Sequence, residues 1–206
     1  MNLTEHQTDS LTELINIAFG RTAASLSDLT GHRVLLDSPS VTVLPLDQLA
    51  ATLSRYVPGD VASIHQDFSG PIAGDALLVL SQAGAAALAG LLTDTAPAER
   101  LDDSAREVLT EVGNILLNAC LGMFGNLLQV RVNFSVPRLH LDTVEQLVSS
   151  LSRPSGPARH ALVVSMAFRM KGSAVTGYLA LVLGVASLEQ LVTQVEAWEA
   201  RGEGAP

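Results

Sequence analysis

The alternation of apolar and polar positions divides the chain into two similar stretches. Each opens with a long segment of helical period. Leu11, Leu14, Ile15, Ala18, Thr22, Leu26 and Leu29 recur at spacings that put them on one stripe of a helix. Leu109, Val112, Leu116, Cys120, Met123, Phe124 and Leu127 do the same later. The pattern predicts helices over about residues 5–29 and 104–127. Extended, β-branched or proline-punctuated segments follow, near residues 33–45 and 130–142. Two apolar runs come next in each stretch, about 61–69 and 74–81, then 160–169 and 174–183. Only "SGPIAG" and "MKGS" separate the members of each pair, so they read as antiparallel hairpins. A final helix closes each stretch, near 83–92 and 186–198. "LTDTAPAERLDDS" links the halves, "RPSGPAR" (Arg153 to Arg159) reads as a loop, and "RGEGAP" as a frayed tail.

The likeness of the two stretches extends to single residues. "LTELINI" (Leu11 to Ile17) returns as "LTEVGNI" (Leu109 to Ile115). Glu13 and Glu111 are 98 residues apart, as are Asn16 and Asn114, Arg33-Val34 and Arg131-Val132, and Pro39 and Pro137. A shift of 103 aligns "GDALLVL" with "GYLALVL". The expected architecture is α+β, with two pseudo-symmetric α-β-β-β-α halves forming one six-stranded, mainly antiparallel sheet with packed helices. One domain is expected to span residues 1–206, with repeats over about 1–98 and 99–200.

Opposite the apolar stripes, the first helix carries Asp9, Glu13, Asn16, Gly20, Ala23, Ala24 and Ser27. The second carries Glu107, Glu111, Asn114, Asn118, Gly122 and Gly125. Such a face normally bears long charged side chains. Here an acid–amide pair is followed by small residues, although a glycine inside a helix costs up to about 1 kcal/mol relative to alanine. The face reads as a docking strip with two polar groups at one end.

Simpler readings compete with this one. Glu13 fits the third residue of a capping box in "SLTE" from Ser10. By the repeat, however, the first helix starts near His6, with a cap in "TEHQ" from Thr4. "SARE" (Ser104 to Glu107) caps the second helix and leaves Glu111 about two turns inside. Cys120 lies on the apolar stripe and reads as core. Pro39 and Pro137 punctuate strands.

Composition narrows the function classes. Among 206 residues, 48% are hydrophobic and 16% charged, with a net charge of −9. An acidic chain whose single lysine is Lys171 has no basic footprint for nucleic acid. Mean hydropathy is +0.32, yet the longest apolar run, "YLALVLGVASL", is too short for a membrane span. "MNLTEHQTDS" has no features of a secretory signal, and one cysteine fits a reducing cytoplasm. His6, His32, His65, His140 and His160 show no metal-ligand spacing, so no metal site is expected. Phosphate-loop, dinucleotide and nucleophile-elbow motifs are absent.

A glutamate and an asparagine at i and i+3 point the same way from a helix. Asparagine is no base, but its carboxamide can hold a water by donating and accepting hydrogen bonds. Positioning an attacking water speeds phosphoryl hydrolysis where metal and charge are already supplied. The pair therefore makes chemical sense if another protein brings the rest of the active site.

The doubled E-x-x-N on a long helix, with a proline 23 residues on, resembles the CheC-type chemotaxis phosphatases of the CheC/CheX/FliY group. "EVGNILLNACLGMFGNLL" is similar to the second motif of that family and "ELINIAFGRTAASLSDL" to the first. The resemblance covers nearly the whole chain. It implies a cytoplasmic hydrolase that dephosphorylates the response regulator CheY. Glu13 and Glu111 would contact a lysine of CheY, and Asn16 and Asn114 would orient water against its aspartyl phosphate. Asp9, Gly20, Glu107, Asn118 and Gly122 would line the surface that meets the partner. CheY would bring Mg²⁺, with no cofactor of the chain's own, and the receptor deamidase CheD is a further implied partner. Two departures stand out. Ile15 precedes the first Asn where the family commonly has glycine, and Glu107 stands where the second motif has Asp or Ser. The alternative reading is a non-catalytic CheY- or CheD-binding adaptor of the same fold.

Overall fold

The computed structural model describes residues 3–31, 33–96, 101–127, 129–151, 158–170 and 173–201. The side chains of Leu29, Cys120, Met123, Phe124 and Leu127 lie outside what is described, as does His32, so the core reading of Cys120 is not addressed.

The first long helix, α1, spans Glu5–Thr30. Thr4 caps it: its side chain accepts from the Gln7 backbone, and the Gln7 side chain accepts from Thr4 in return. Ser10 is already helical, its hydroxyl donating to the His6 carbonyl. Glu13 is therefore deep in the helix and caps nothing. The second long helix, α4, spans Asp103–Leu127. Its first turn is held by Asp102, whose carboxylate accepts from Ala105 N, so the capping box expected at Ser104 is displaced by a better acceptor upstream.

Between and after these helices run β1 (Val34–Leu36), β2 (Ser40–Pro45), a short 3-10 turn, α2 (Leu49–Tyr56), β3 (Asp60–Ser69), β4 (Gly74–Ser81) and α3 (Gln82–Thr93). The second half repeats the order with β5 (Asn133–Phe134), β6 (Arg138–Thr143), α5 (Val144–Leu151), β7 (Arg159–Met170), β8 (Ser173–Gly184) and α6 (Val185–Ala200). All pairings are antiparallel. The α+β expectation is borne out.

Eight strands occupy six positions across the sheet. β7, β8, β4 and β3 run through its middle. β1 and β2 share one edge, each pairing with a different part of β7. β5 and β6 share the other, along β3. Each edge therefore belongs to the opposite half from the strand it pairs with. The pseudo-twofold axis falls between β4 and β8, where Leu78 pairs with Leu179, its mate by strand register at a shift of 101 rather than the 103 expected from the sequence.

The sheet is buried on both faces. Ala76, Leu78 and Leu80 of β4 join the core under α1, α3, α4 and α6. Leu77 and Val79 face the other way, into a second core with Leu49 and Leu53 of α2 and Val144, Leu147 and Leu151 of α5. This is why β4 and β8 read as unbroken apolar runs. The two eight-residue helices α2 and α5 were not expected from the sequence, so each half is α-β-β-α-β-β-α rather than α-β-β-β-α.

Candidate functional site

Burial of one stripe fixes what the long helices show to solvent. On α1, Leu11, Leu14, Ile15, Ala18, Phe19, Thr22 and Leu26 are each at most 2% exposed. Asp9, Glu13, Asn16 and Gly20 are exposed. Neither Glu13 nor Asn16 makes a side-chain hydrogen bond to a described residue. On α4, Leu109, Val112, Leu116, Leu117 and Leu121 are buried. Glu107 and Glu111 are exposed, whereas Asn114, Asn118 and Gly122 are half-buried. Both Glu–Asn pairs thus face away from the core, the second less openly than the first.

The second asparagine is held by its own protein. Asn118 Nδ2 donates to Asn114 Oδ1 at 2.6 Å. Gln66 Nε2 donates to Asn118 Oδ1 at 3.2 Å and to the Ser135 carbonyl at 2.8 Å. Ser135 is itself pinned to β3, its N donating to Asp67 O and its Oγ accepting from Asp67 N, both at 2.9 Å. Gln66 is 2% exposed and was not singled out by sequence reasoning. Nothing in a strand's alternation distinguishes it, and its contact with Asn118 spans 52 residues.

The residue before each asparagine sets how its helix lies. A Cβ added at Gly113 would come within 2.7–2.8 Å of three carbons of the Ile64 side chain on β3. Glycine there lets α4 rest directly on the sheet, where it packs on β3, β4 and β6. In α1 the matching position is Ile15, 1% exposed. Its side chain fills the space that close approach would remove, and α1 packs chiefly on α4, α6 and the edge strands β1 and β2. Ser27 Oγ, accepting from Val34 N at 2.9 Å, ties it to that edge.

The small residues on the two strips differ in origin. A Cβ at Gly20 or Gly122 would meet nothing within 4 Å, so no internal packing asks for glycine there. Gly125 has an internal reason: its Cβ would lie 3.0 Å from the Val130 carbonyl, where the chain turns back and Val130 N donates to Gly125 O.

A second polar cluster lies on the sheet's other face. His65 Nε2 is 3.1 Å from Asp75 Oδ1 and 3.7 Å from Asp67 Oδ1, and one ligand atom of each lies within 4.8 Å of the others. The expectation of scattered histidines without metal-ligand grouping is corrected to that extent, because strand pairing joins what sequence spacing separates. Asp75 is also ion-paired with Arg159, whose guanidinium donates to the carbonyls of Leu151 and Val182. Burial works to raise the Asp75 pKa, but the His65 hydrogen bond and the Arg159 guanidinium outweigh it and hold the carboxyl well below its usual range. The cluster ties β3, β4, β7, β8 and the end of α5 together. It shares no residue with the Glu–Asn pairs.

No family model matches the chain. It is 28% identical over 150 residues to the flagellar motor switch phosphatase FliY of Bacillus subtilis (strain 168), across 70% of this chain and 38% of that protein. It therefore spans well under half the length of that relative. It is also 28% identical over 167 residues to the CheY-P phosphatase CheC of the same organism, covering 78% of each. Among solved structures, Thermotoga maritima FliY shares the fold with a TM-score of 0.75 over 98% of this chain and 99% of that one, at 21% identity. The resemblance to the CheC/CheX/FliY group is borne out in sequence and in fold. Among the described residues, no helix is long and apolar enough to cross a membrane.

Proposed function

We propose that this chain is a phosphatase for a phospho-aspartyl response regulator of the CheY type. The observation that carries the reading is the doubled Glu–Asn pair, presented on the solvent-facing side of α1 and α4 while the opposite stripe of each helix is buried in the core. The two Bacillus subtilis relatives are both named as phosphatases, which agrees with it.

Each residue type has a defined task in this reading. The Asn carboxamide donates and accepts, so it can hold a water in line with an aspartyl phosphate. The Glu carboxylate anchors the regulator through a lysine. Mg²⁺ on the regulator neutralises the phosphoryl oxygens. The chain's contribution is placement of water, and the small positions Gly20 and Gly122, where no internal packing asks for glycine, let the partner's backbone lie close. CheD as a second partner rests on the family resemblance, and co-purification with a CheD-type deamidase tests it.

The decisive experiment is phosphate release from phosphorylated CheY-type regulators, with and without the chain. Wild type accelerates release, and Asn16→Ala with Asn114→Ala removes the acceleration. A double variant as active as wild type would sink the assignment of these residues. Binding of the regulator with no acceleration would make the chain an adaptor.

A further inference from the structure

The two halves offer an internal control for what surrounds each asparagine. Strand register gives the correspondence. Phe68 of β3 pairs with Phe134, and Phe168 of β7 pairs with Leu36. Leu36 and Phe134 are repeat mates, so β3 maps onto β7 at a shift of 100. Met166 therefore stands where Gln66 stands, and both are 2% exposed on the face under the long helices. Gly20 stands where Asn118 stands. The first half thus lacks both members of the hydrogen-bonded relay that reaches Asn114.

The relay has one workable polarity. Gln66 Nε2 faces two acceptors, the Ser135 carbonyl and Asn118 Oδ1. Turning that amide over would set its oxygen against both, so the donor assignment follows from the network. With Asn118 Oδ1 accepting, its Nδ2 is the group that meets Asn114, which makes Oδ1 the Asn114 atom on that side. One lone pair of Asn114 Oδ1 and both its N–H groups stay without a partner among the described residues, and these are what a water needs. A chain of hydrogen-bonded amides anchored at a buried residue also restricts the rotamers of its members, although Gln66 Oε1 itself is buried without a partner among the described residues.

We propose that Gln66 and Asn118 are positioning residues. They fix the carboxamide of Asn114 before any partner arrives, so the second Glu–Asn pair is pre-oriented and the first is not. The inference rests on the phosphatase reading for its kinetic consequence, but the ordering of Asn114 can be read without any activity.

The test has two arms. In an Asn16→Ala background, where only the second pair operates, Gln66→Met and Asn118→Ala are compared by phosphate release over a range of regulator concentrations. Gln66→Met introduces the residue the other half already carries. Both variants are expected to lower kcat about tenfold and leave KM within about twofold, the signature of lost placement rather than lost binding. A rise in KM with kcat unchanged would make Asn118 a partner contact and overturn the proposal, as would unchanged kinetics in both variants. The second arm follows side-chain amide relaxation by NMR in the isolated protein. The Asn114 amide should be ordered and the Asn16 amide mobile, with order at Asn114 lost in either variant. Equal mobility of the two amides in wild type overturns the proposal whether or not a substrate is found. If Asn114 is ordered by the relay but no regulator loses phosphate faster, the relay stands and the phosphatase reading falls.

Discussion

Helices α1 and α4 carry the same Glu–Asn pair on nearly the same length of helix, yet they sit on the protein differently. α4 lies against β3 because Gly113 leaves room for Ile64, and its asparagine is drawn into a relay that starts at Gln66. α1 rests along the edge strands and its neighbouring helices, with buried Ile15 at the matching position, and its asparagine is exposed with no side-chain hydrogen bond to a described residue. Duplication kept the residue types that face outward and let the support beneath them diverge. What a doubled motif guarantees is therefore the pair of functional groups, and the precision with which each group is held is decided by residues outside the motif.

The halves differ most in the ion pair on the far face of the sheet, and this is where a substitution should cost most. The register mates of Asp75 and Arg159 are Thr176 and Gly59, so the pair belongs to one half only. Asp75→Ala would leave the Arg159 guanidinium, 12% exposed, without its carboxylate. We expect a loss of about 3–5 kcal/mol, measured by urea unfolding at neutral pH. The sign with pH follows from the depressed carboxyl. Its contribution is complete above the ordinary value of 3.8 and fades as pH falls below that toward the folded-state value. The stability gap between wild type and Asp75→Ala should therefore narrow below about pH 4. A gap that widens in acid would mean the pair is not what holds the strands.

The next contrast is kinetic. If the relay makes the second pair the working one, Asn114→Ala should lower phosphate release by about 10–100-fold. Asn16→Ala should change it by less than about threefold, because losing an unordered amide removes little placement. Equal losses would show that the partner orders both amides on docking, and the structural difference between the helices would then carry no catalytic weight.

Gly113 tests the packing behind that contrast. Gly113→Ala forces a shift between α4 and the stem of Ile64, an overpacking that costs about 1–3 kcal/mol. Alanine returns up to about 1 kcal/mol through helix propensity, so the net loss should be about 1–2 kcal/mol in thermal or urea unfolding. A variant as stable as wild type would show that α4 has slack against the sheet.

How much of this was legible in the chain depends on the range of each signal. The long helices and both hairpins were readable because their periods hold over many residues, and the predicted ends fall within one or two residues of the observed ones. The Glu–Asn pairs were readable because i and i+3 share a helix face. α2 and α5 were missed although Val144, Leu147, Val148 and Leu151 have helical spacing. The periodicity reading assigns no element to these eight-residue stretches, because it does not include the demand that strands buried on both faces be covered on both. Gln66, and the grouping of His65 with Asp75 and Arg159, could not be read. A lone polar residue in a strand gains meaning only when another segment closes on it, and for Arg159 and Asp75 that segment is 84 residues away.

The smallest effect separates a docking strip from an ordinary helix surface. Gly20 is exposed in mid-helix, and a Cβ there would meet nothing within 4 Å. Gly20→Ala should therefore raise stability, by up to about 1 kcal/mol, since alanine restricts the unfolded chain and suits the helix. If the strip beside Asn16 receives a partner's backbone, the same change should weaken binding of the regulator to the first site, read in an Asn114→Ala background. Gain in stability with loss of binding is the outcome expected of a glycine kept for a partner. Gain in stability with binding unchanged would leave the first helix a helix like any other, and would confine the docking role to α4.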